Sequence, residues 1–365
     1  MKIAIIGSKG IPAKYGGFET FAEKISYEFQ QFGHNVIVFG DSSSETKLIS
    51  KNISNVSIKI FKGDNPIKFW HRSIYLAKKN KPDVIIHCGV AGIFSHLYYY
   101  SLNDITYINP DGLGFMRSKY GYLKKIFLFT QFITCSIFAK NIICDSQGIK
   151  LFFTNKLQRK KNLSVAEYGT ILNIESEDKK LAFQKFNTSL NLNLSNGYFL
   201  VIARLEPENN IKLILESYLQ SNKLYPLLIV GGKETNYFQK HLKYYDNLDN
   251  IHFSGGIYDS ILLQSIRINC TAYIHGHTVG GTNPSLIEAM GSRNLIIAHK
   301  NEFNSFILED AAFYFKEIDE LVKIFNKINK RNTYNDFRSK VLKLATEKYS
   351  WRIICKKYLN IISND

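Results

Sequence analysis

The chain is poor in tryptophan, with two against 26 Phe and 22 Tyr, and its five cysteines form no Cys-x-x-Cys pair. Cys88, Cys135, Cys144, Cys270 and Cys355 are scattered and odd in number. That argues against a disulfide framework and for reduced, buried thiols in a reducing compartment. No apolar run reaches the roughly 20 residues of a membrane-spanning helix. Asp-x-Asp, which commonly cradles a divalent ion through oxygens, is absent, and Asp246-Asn-Leu-Asp249 has the wrong spacing. Neither Gly-x-Gly-x-x-Gly nor Gly-Lys-Ser/Thr occurs, which removes the dinucleotide fingerprint and the P-loop. Met1-Lys2 leads straight into a strand and a glycine turn, so no signal peptide is expected.

Acids are scarce as well. Asp and Glu number 31 against 47 Lys and Arg, a formal charge of +16. Residues 1–180 carry 25 Lys/Arg and 14 Asp/Glu, so most of the excess lies in the first half. Such a charge invites an anionic partner, whether nucleic acid, anionic lipid or a charged substrate. The basic residues are dispersed and no nucleic-acid module is recognisable, so no nucleic-acid partner is expected.

What is present is an alternation of apolar strands and helices. Residues 2–7 read as a buried strand, followed by a glycine loop through Gly17 and a helix from Phe18 to Phe32 with Phe21, Ile25 and Phe29 on one face. Strands follow at Asn35–Gly40, Val84–His87, Thr106–Asn109 and Asn141–Asp145. The pattern restarts with a strand at Tyr198–Ala203, a helix at Asn209–Gln220 and strands at Pro226–Val230, Ile251–Phe253, Ala272–Ile274 and Leu295–Ala298. Two α/β units with doubly wound parallel sheets are expected. Their ranges are residues 1–180 and 181–349, with the polar stretch Glu175–Ser195 as linker. A closing helix within 350–365 is placed to fold back. Ile126–Ala139, apolar for 14 residues between lysines, reads as a buried helix of the first domain. The alternative is an interfacial helix on anionic headgroups. Residues 68–81 interleave basic and aromatic side chains and support that alternative.

The densest chemistry lies in His277 to Gly291, His-Thr-Val-Gly-Gly-Thr-Asn-Pro-Ser-Leu-Ile-Glu-Ala-Met-Gly. Asn283 before Pro284 suits an N-cap followed by the first helical position. Gly280 and Gly281 allow close backbone approach, and the N–H groups beyond them offer an anion site. Glu288 follows as a bidentate acceptor suited to a sugar diol. Phosphate beside a diol describes a nucleotide sugar. The loop Gly7 to Thr20 carries Gly16-Gly17 before a helix, either a second phosphate site or a turn with glycines for geometry alone.

The opening Ile-Gly-x-x-Gly-Ile-Pro-Ala-x-Tyr-Gly-Gly-Phe-Glu-Thr-Phe resembles rhamnosyltransferase-like members of bacterial glycosyltransferase family 4. Asn109-Pro-Asp-Gly112, Arg204-Leu-Glu-Pro-Glu-Asn-Asn210, Val279 through Glu288 and Tyr349-Ser-Trp351 resemble the same family in the same order. The resemblance implies the GT-B architecture, two Rossmann-like domains facing across a cleft, and retaining transfer from a nucleotide sugar. Deoxythymidine-diphosphate rhamnose is the donor it suggests. The acceptor would be a polyprenyl-diphosphate-linked saccharide at the cytoplasmic face of the plasma membrane, feeding a surface polysaccharide. A UDP- or GDP-hexose donor and a non-catalytic nucleotide-sugar-binding protein remain the alternatives.

The same resemblance distributes roles. Arg204 would hold the donor diphosphate, where its planar fork is apt. Glu288 would bind the ribose hydroxyls, with Gly16, Gly17, Gly280, Gly281, Thr282 and Asn283 on the donor side. His277 would reach a phosphate or sugar hydroxyl, or be structural. Asp111 is a candidate beside the reacting centre and equally a turn residue. Glu19 and Arg117 are assigned to the acceptor. Three departures stand out: Asn209 where the family often has lysine, Gly280 where it often has an acid, and Gly114-Phe115 where Glu-Trp is common. Diphosphate charge would then come from Arg204, helix N-termini or a lysine such as Lys233, with no metal ion or other cofactor.

Overall fold

The computed structural model describes residues 1–13, 16–41, 49–53, 56–61, 65–117, 120–190, 193–279, 281–328 and 333–364. Two compact units divide the chain. One comprises Met1–Met116, Tyr120–Gly169 and Trp351–Asp365, the other Arg117–Lys119 and Thr170–Ser350.

In the first unit the order is β1 (Lys2–Ile6), α1 (Gly17–Gln31), β2 (Asn35–Asp41), β3 (Ile49–Ile53), β4 (Val56–Phe61), α2 (Pro66–Lys79), β5 (Val84–Cys88), α3 (Ile93–Tyr98), β6 (Thr106–Asn109), α4 (Tyr122–Phe138), β7 (Asn141–Cys144), α5 (Gln147–Leu151) and β8 (Leu163–Val165). The sheet runs β3-β4-β2-β1-β5-β6-β7-β8, parallel except for the edge pair β3–β4. Central strands such as β5, Val-Ile-Ile-His-Cys, are buried throughout because helices cover both faces. Strands β3, β4 and β8 lie at or next to the sheet edges, and each carries Ser, with Lys as well in β3 and β4, so their composition resembles a loop.

The second unit contains α6 (Glu177–Ser189), β9 (Phe199–Ile202), α7 (Ile211–Gln220), β10 (Leu227–Val230), β11 (Ile251–Gly255), α8 (Ser260–Asn269), β12 (Ala272–His275), α9 (Pro284–Gly291), β13 (Ile296–His299), α10 (Glu302–Leu308), β14 (Phe313–Phe315), α11 (Ile318–Lys327) and α12 (Asn335–Lys348). Its parallel sheet runs β11-β10-β9-β12-β13-β14. The closing helix, α13 (Trp351–Ser363), belongs to the first unit. There Trp351, Ile354 and Tyr358 join Phe21, Ile25 and Tyr168 in one buried cluster. Each such side chain contributes about 1.5–3 kcal/mol relative to exposure.

Two expectations differ from this structure. Glu175–Ser195 is not a bare linker: Ser176 caps α6, and Phe183 stacks on Tyr198 at 6.0 Å. The polar composition there is that of an outer helix, and the units divide at Gly169/Thr170 and Ser350/Trp351. Nor is the apolar helix at Ile126–Ala139 buried. Helix α4 buries Gln131, Phe132, Cys135 and Ser136, while Leu123, Ile126, Phe127 and Ile137 stay exposed. It lies at the outside of its layer, so its apolar composition exceeds what the core can cover. Among the described residues no helix is long and apolar enough to cross a membrane.

Candidate functional site

In the second unit, three chain segments meet at the carboxyl ends of β9 and β12. Arg204 leaves β9 exposed, and its carbonyl accepts from the Asn209 amide at 2.8 Å. That orientation turns Asn209 Oδ1 toward His277, whose Nδ1 lies 2.7 Å away and must carry the proton of that hydrogen bond. Thr278 then donates from both N and Oγ1 to the Glu208 carbonyl, at 2.9 and 3.0 Å. Asn210, in the left-handed region at φ 51°, donates to Gly276 O at 3.0 Å. The approach is close: a Cβ on Gly276 would fall 2.2 Å from Asn209 O. Asn209, in the place of the missing lysine, is thus the keystone between the Arg204 loop and the His277 loop.

Burial lowers the His277 pKa from 6.5 to about 4, helped by the charges of Arg117 and Arg204. The imidazole is therefore neutral near pH 7. Arg117 groups with this unit, so the structure brings Arg117, Arg204 and His277 together. The charge of Arg117, the residue assigned to the acceptor, reaches the same histidine as that of Arg204. Lys233 does not add a free charge, because Asp246 pairs with it at 2.8 Å.

Helix α9 starts beside these loops. Asn283 caps it, accepting from Ser285 N at 3.0 Å and Ser285 Oγ at 2.8 Å, with Pro284 in the first turn. Tyr273 OH donates to Ser285 Oγ at 3.0 Å, tying β12 to that turn. Burial raises the Tyr273 pKa to about 12 and keeps it a donor. Thr282 is buried and Gly281 partly so; Gly280 lies outside the described residues.

Glu288 is half-exposed on α9, and its carboxylate pairs with the Arg267 guanidinium of α8. Arg267 is only 4% exposed, and its Nε has no hydrogen-bond partner among the described residues. A buried guanidinium demands a counter-charge, so Arg267 fixes the carboxylate while its other edge faces solvent. Arg267 is not legible as a partner of Glu288 in the sequence, because 21 positions and strand β12 separate the two. One signal was available: an arginine within the apolar run Ser-Ile-Arg-Ile-Asn-Cys.

In the first unit, Gly16 precedes α1 at φ +119°, a conformation that favours glycine. Glu19 folds back over it: a Cβ at Gly16 would sit 2.1 Å from Glu19 Oε2, and Glu19 Oε1 accepts from Lys9 N at 2.8 Å. The first turn at Gly16-Gly17 already holds a carboxylate, which would repel a phosphate placed there. Asp111 occupies the left-handed region at φ 64°, and its N–H donates to Asn109 Oδ1 at 3.0 Å. Asn109 in turn donates to Tyr358 OH of α13 at 3.1 Å, so the terminal helix braces this turn. A non-glycine residue held there is strained, as functional loops often are.

Residues 183–343 match the family described as glycosyl transferases group 1, and residues 1–171 match the domain of unknown function DUF1972. No curated protein matches the chain. Sucrose-phosphate synthase from Thermosynechococcus elongatus aligns with a TM-score of 0.82 at 14% identity, covering 100% of this chain and 98% of that one. HepE from Anabaena, in complex with UDP, gives 0.75 at 14% identity over 100% of both chains. Starch synthase IV from Arabidopsis thaliana, bound to ADP and acarbose, gives 0.73 at 12% identity over 100% and 98%. At such identities the likeness shows the fold, which is GT-B.

Proposed function

We infer, from the match of residues 183–343 to the glycosyl transferases group 1 family, that the chain moves a hexose from a nucleotide sugar to an acceptor. The observation that carries this reading is the clamp of Arg204, Asn209 and His277 beside the capped start of α9, with Glu288 on the same helix. Arg204, Arg117 and the α9 N-terminus supply positive charge for a diphosphate. Glu288, held by Arg267, keeps a carboxylate edge for the ribose diol. Thr282 and Gly281 would face the donor sugar, and neutral His277 serves as a hydrogen-bonding group rather than a cation. Gly16 and Gly17 shape the loop, while Glu19 and Asp111 offer carboxylates to the acceptor, Asp111 at the reacting hydroxyl.

The finer reading is retaining, metal-independent transfer of L-rhamnose from dTDP-rhamnose. Its acceptor is a lipid-linked saccharide at the inner face of the plasma membrane, in surface-polysaccharide synthesis. The chain's resemblance to rhamnosyltransferase-like proteins supports the donor, and the missing Asp-x-Asp supports metal independence. A UDP-hexose donor is the second reading, favoured by structural neighbours solved with UDP and UDP-glucose. A panel of nucleotide sugars, read by thermal stabilisation and slow donor hydrolysis, tests both. Stabilisation by dTDP-rhamnose above UDP- and GDP-hexoses is expected. Indifference to every nucleotide sugar would end the transferase reading, and binding without turnover or transfer would leave a nucleotide-sugar-binding protein.

A further inference from the structure

Helices α2, α3 and α4 form one layer of the first unit, α3 packing against both others. Not one Asp or Glu occurs in them; their charged residues are Lys68, Arg72, Lys78, Lys79, Lys124 and Lys125. The layer nevertheless exposes large apolar side chains: Leu123 is 81% exposed, Tyr122 78%, Tyr98 75% and Phe127 54%, with Phe94 and Ile126 beside them. These are not isolated. Phe94 of α3 and Phe127 of α4 approach at 6.4 Å between ring centroids, and His71 of α2 and Tyr98 of α3 at 5.2 Å. Lysines are interleaved with rings, Lys124 Nζ lying 4.2 Å from the Tyr120 centroid and Lys79 Nζ 4.8 Å from that of Tyr75. A contiguous exposed apolar strip on a folded unit marks an interaction surface.

We propose that this layer docks the first unit onto an anionic lipid bilayer. Aliphatic and aromatic side chains of α3 and α4 enter the headgroup–acyl boundary, and the flanking lysines lie at phosphate level. Charge decides the occupant. A second copy would set two acid-free, lysine-bearing faces against each other, whereas an anionic bilayer supplies both the counter-charge and an apolar phase. Helices α3 and α4 each begin beyond the carboxyl ends of their preceding strands, β5 and β6, the edge from which the Asp111 turn also rises. Docking there holds that turn near the surface where a lipid-linked acceptor would sit; this purpose, though not the docking itself, rests on the proposed acceptor.

Co-sedimentation of the full chain with phosphatidylglycerol-containing and pure phosphatidylcholine vesicles tests the proposal. Binding to the anionic vesicles, weakened by salt, is expected. Leu123→Glu/Phe127→Glu should lower partitioning at least about tenfold, and Lys124→Glu/Lys125→Glu should do the same for anionic vesicles. All four side chains are solvent-facing or nearly so, and an unchanged thermal melt shows that the fold survives. Equal vesicle binding by wild type and variants would overturn the proposal. So would self-association through this face, abolished by the same substitutions, with no vesicle binding. Vesicle binding without stabilisation by any nucleotide sugar would sink the transferase reading and leave the docking face standing.

Discussion

Replacing Glu288 by alanine removes the counter-charge of a guanidinium that is 4% exposed. Deleting one partner of a fully buried ion pair costs about 3–5 kcal/mol. Glu288 is 38% exposed, so solvent screens part of the interaction, and about 2–3 kcal/mol is the expected loss. For a unit of this size that lowers the melting temperature by about 4–12 °C. Glu288→Gln keeps an oxygen acceptor for Arg267 and should lose only about 1 kcal/mol. Adding Arg267→Met to Glu288→Ala removes the stranded charge and should recover about 1–2 kcal/mol.

Urea and thermal unfolding of wild type, both single variants (Glu288→Ala and Arg267→Met) and the double variant give the cycle, with Glu288→Gln measured beside it, and donor hydrolysis gives the functional arm. Glu288→Gln should stay folded yet lose most donor affinity, because an amide is a poorer acceptor for a diol. Glu288→Ala confounds binding with stability and is the weaker probe of the site. Should Glu288→Ala melt within about 1 °C of wild type, the ion pair carries no stability and the reasoning fails. Equal losses for alanine and glutamine would refute it too.

Arg204→Ala, at an exposed position, should leave the melt unchanged and cut transfer about 100-fold, as loss of one charge-stabilising donor does; near-wild-type turnover would remove Arg204 from the site. His277 has a folded pKa of about 4 against 6.5 unfolded, so its neutral form stabilises fully above about pH 6.5 and that contribution is lost as pH falls toward 4. His277→Asn should therefore show a smaller fall in melting temperature between pH 7 and 4.5 than wild type, and an identical fall would contradict the assignment. Asp111→Asn tolerates the left-handed backbone, so an unchanged melt with a fallen kcat would mark the carboxylate as chemical, and an unchanged kcat would leave Asp111 a turn residue. Transfer should persist in EDTA, and rescue by added magnesium or manganese after its loss would count against metal independence.

Strongly periodic or fully apolar segments were legible beforehand. The α1 face of Phe21, Ile25 and Phe29, the buried central strands, and the Asn283-Pro284 start of α9 are written locally, in spacing and capping chemistry. Strands β3, β4 and β8, at or next to the sheet edges, were not, because Ser, Lys and Asn interrupt their apolar pattern. Helix α4 misled for the opposite reason, since hydrophobicity alone does not say whether a core exists to cover it.

The local sequence determined where a glycine turn, a cap and an acid follow one another from His277 to Gly291, and hence the nucleotide-sugar reading. Tertiary structure decided which groups those residues face. Arg267 reaches Glu288, Asn209 joins Arg204 to His277, Glu19 takes the Lys9 N–H and Asp246 takes Lys233. Each of these depends on pairing across sequence gaps that no local pattern encodes. Capping and periodicity act within one turn of chain, whereas a charge's partner is set by how separate elements pack.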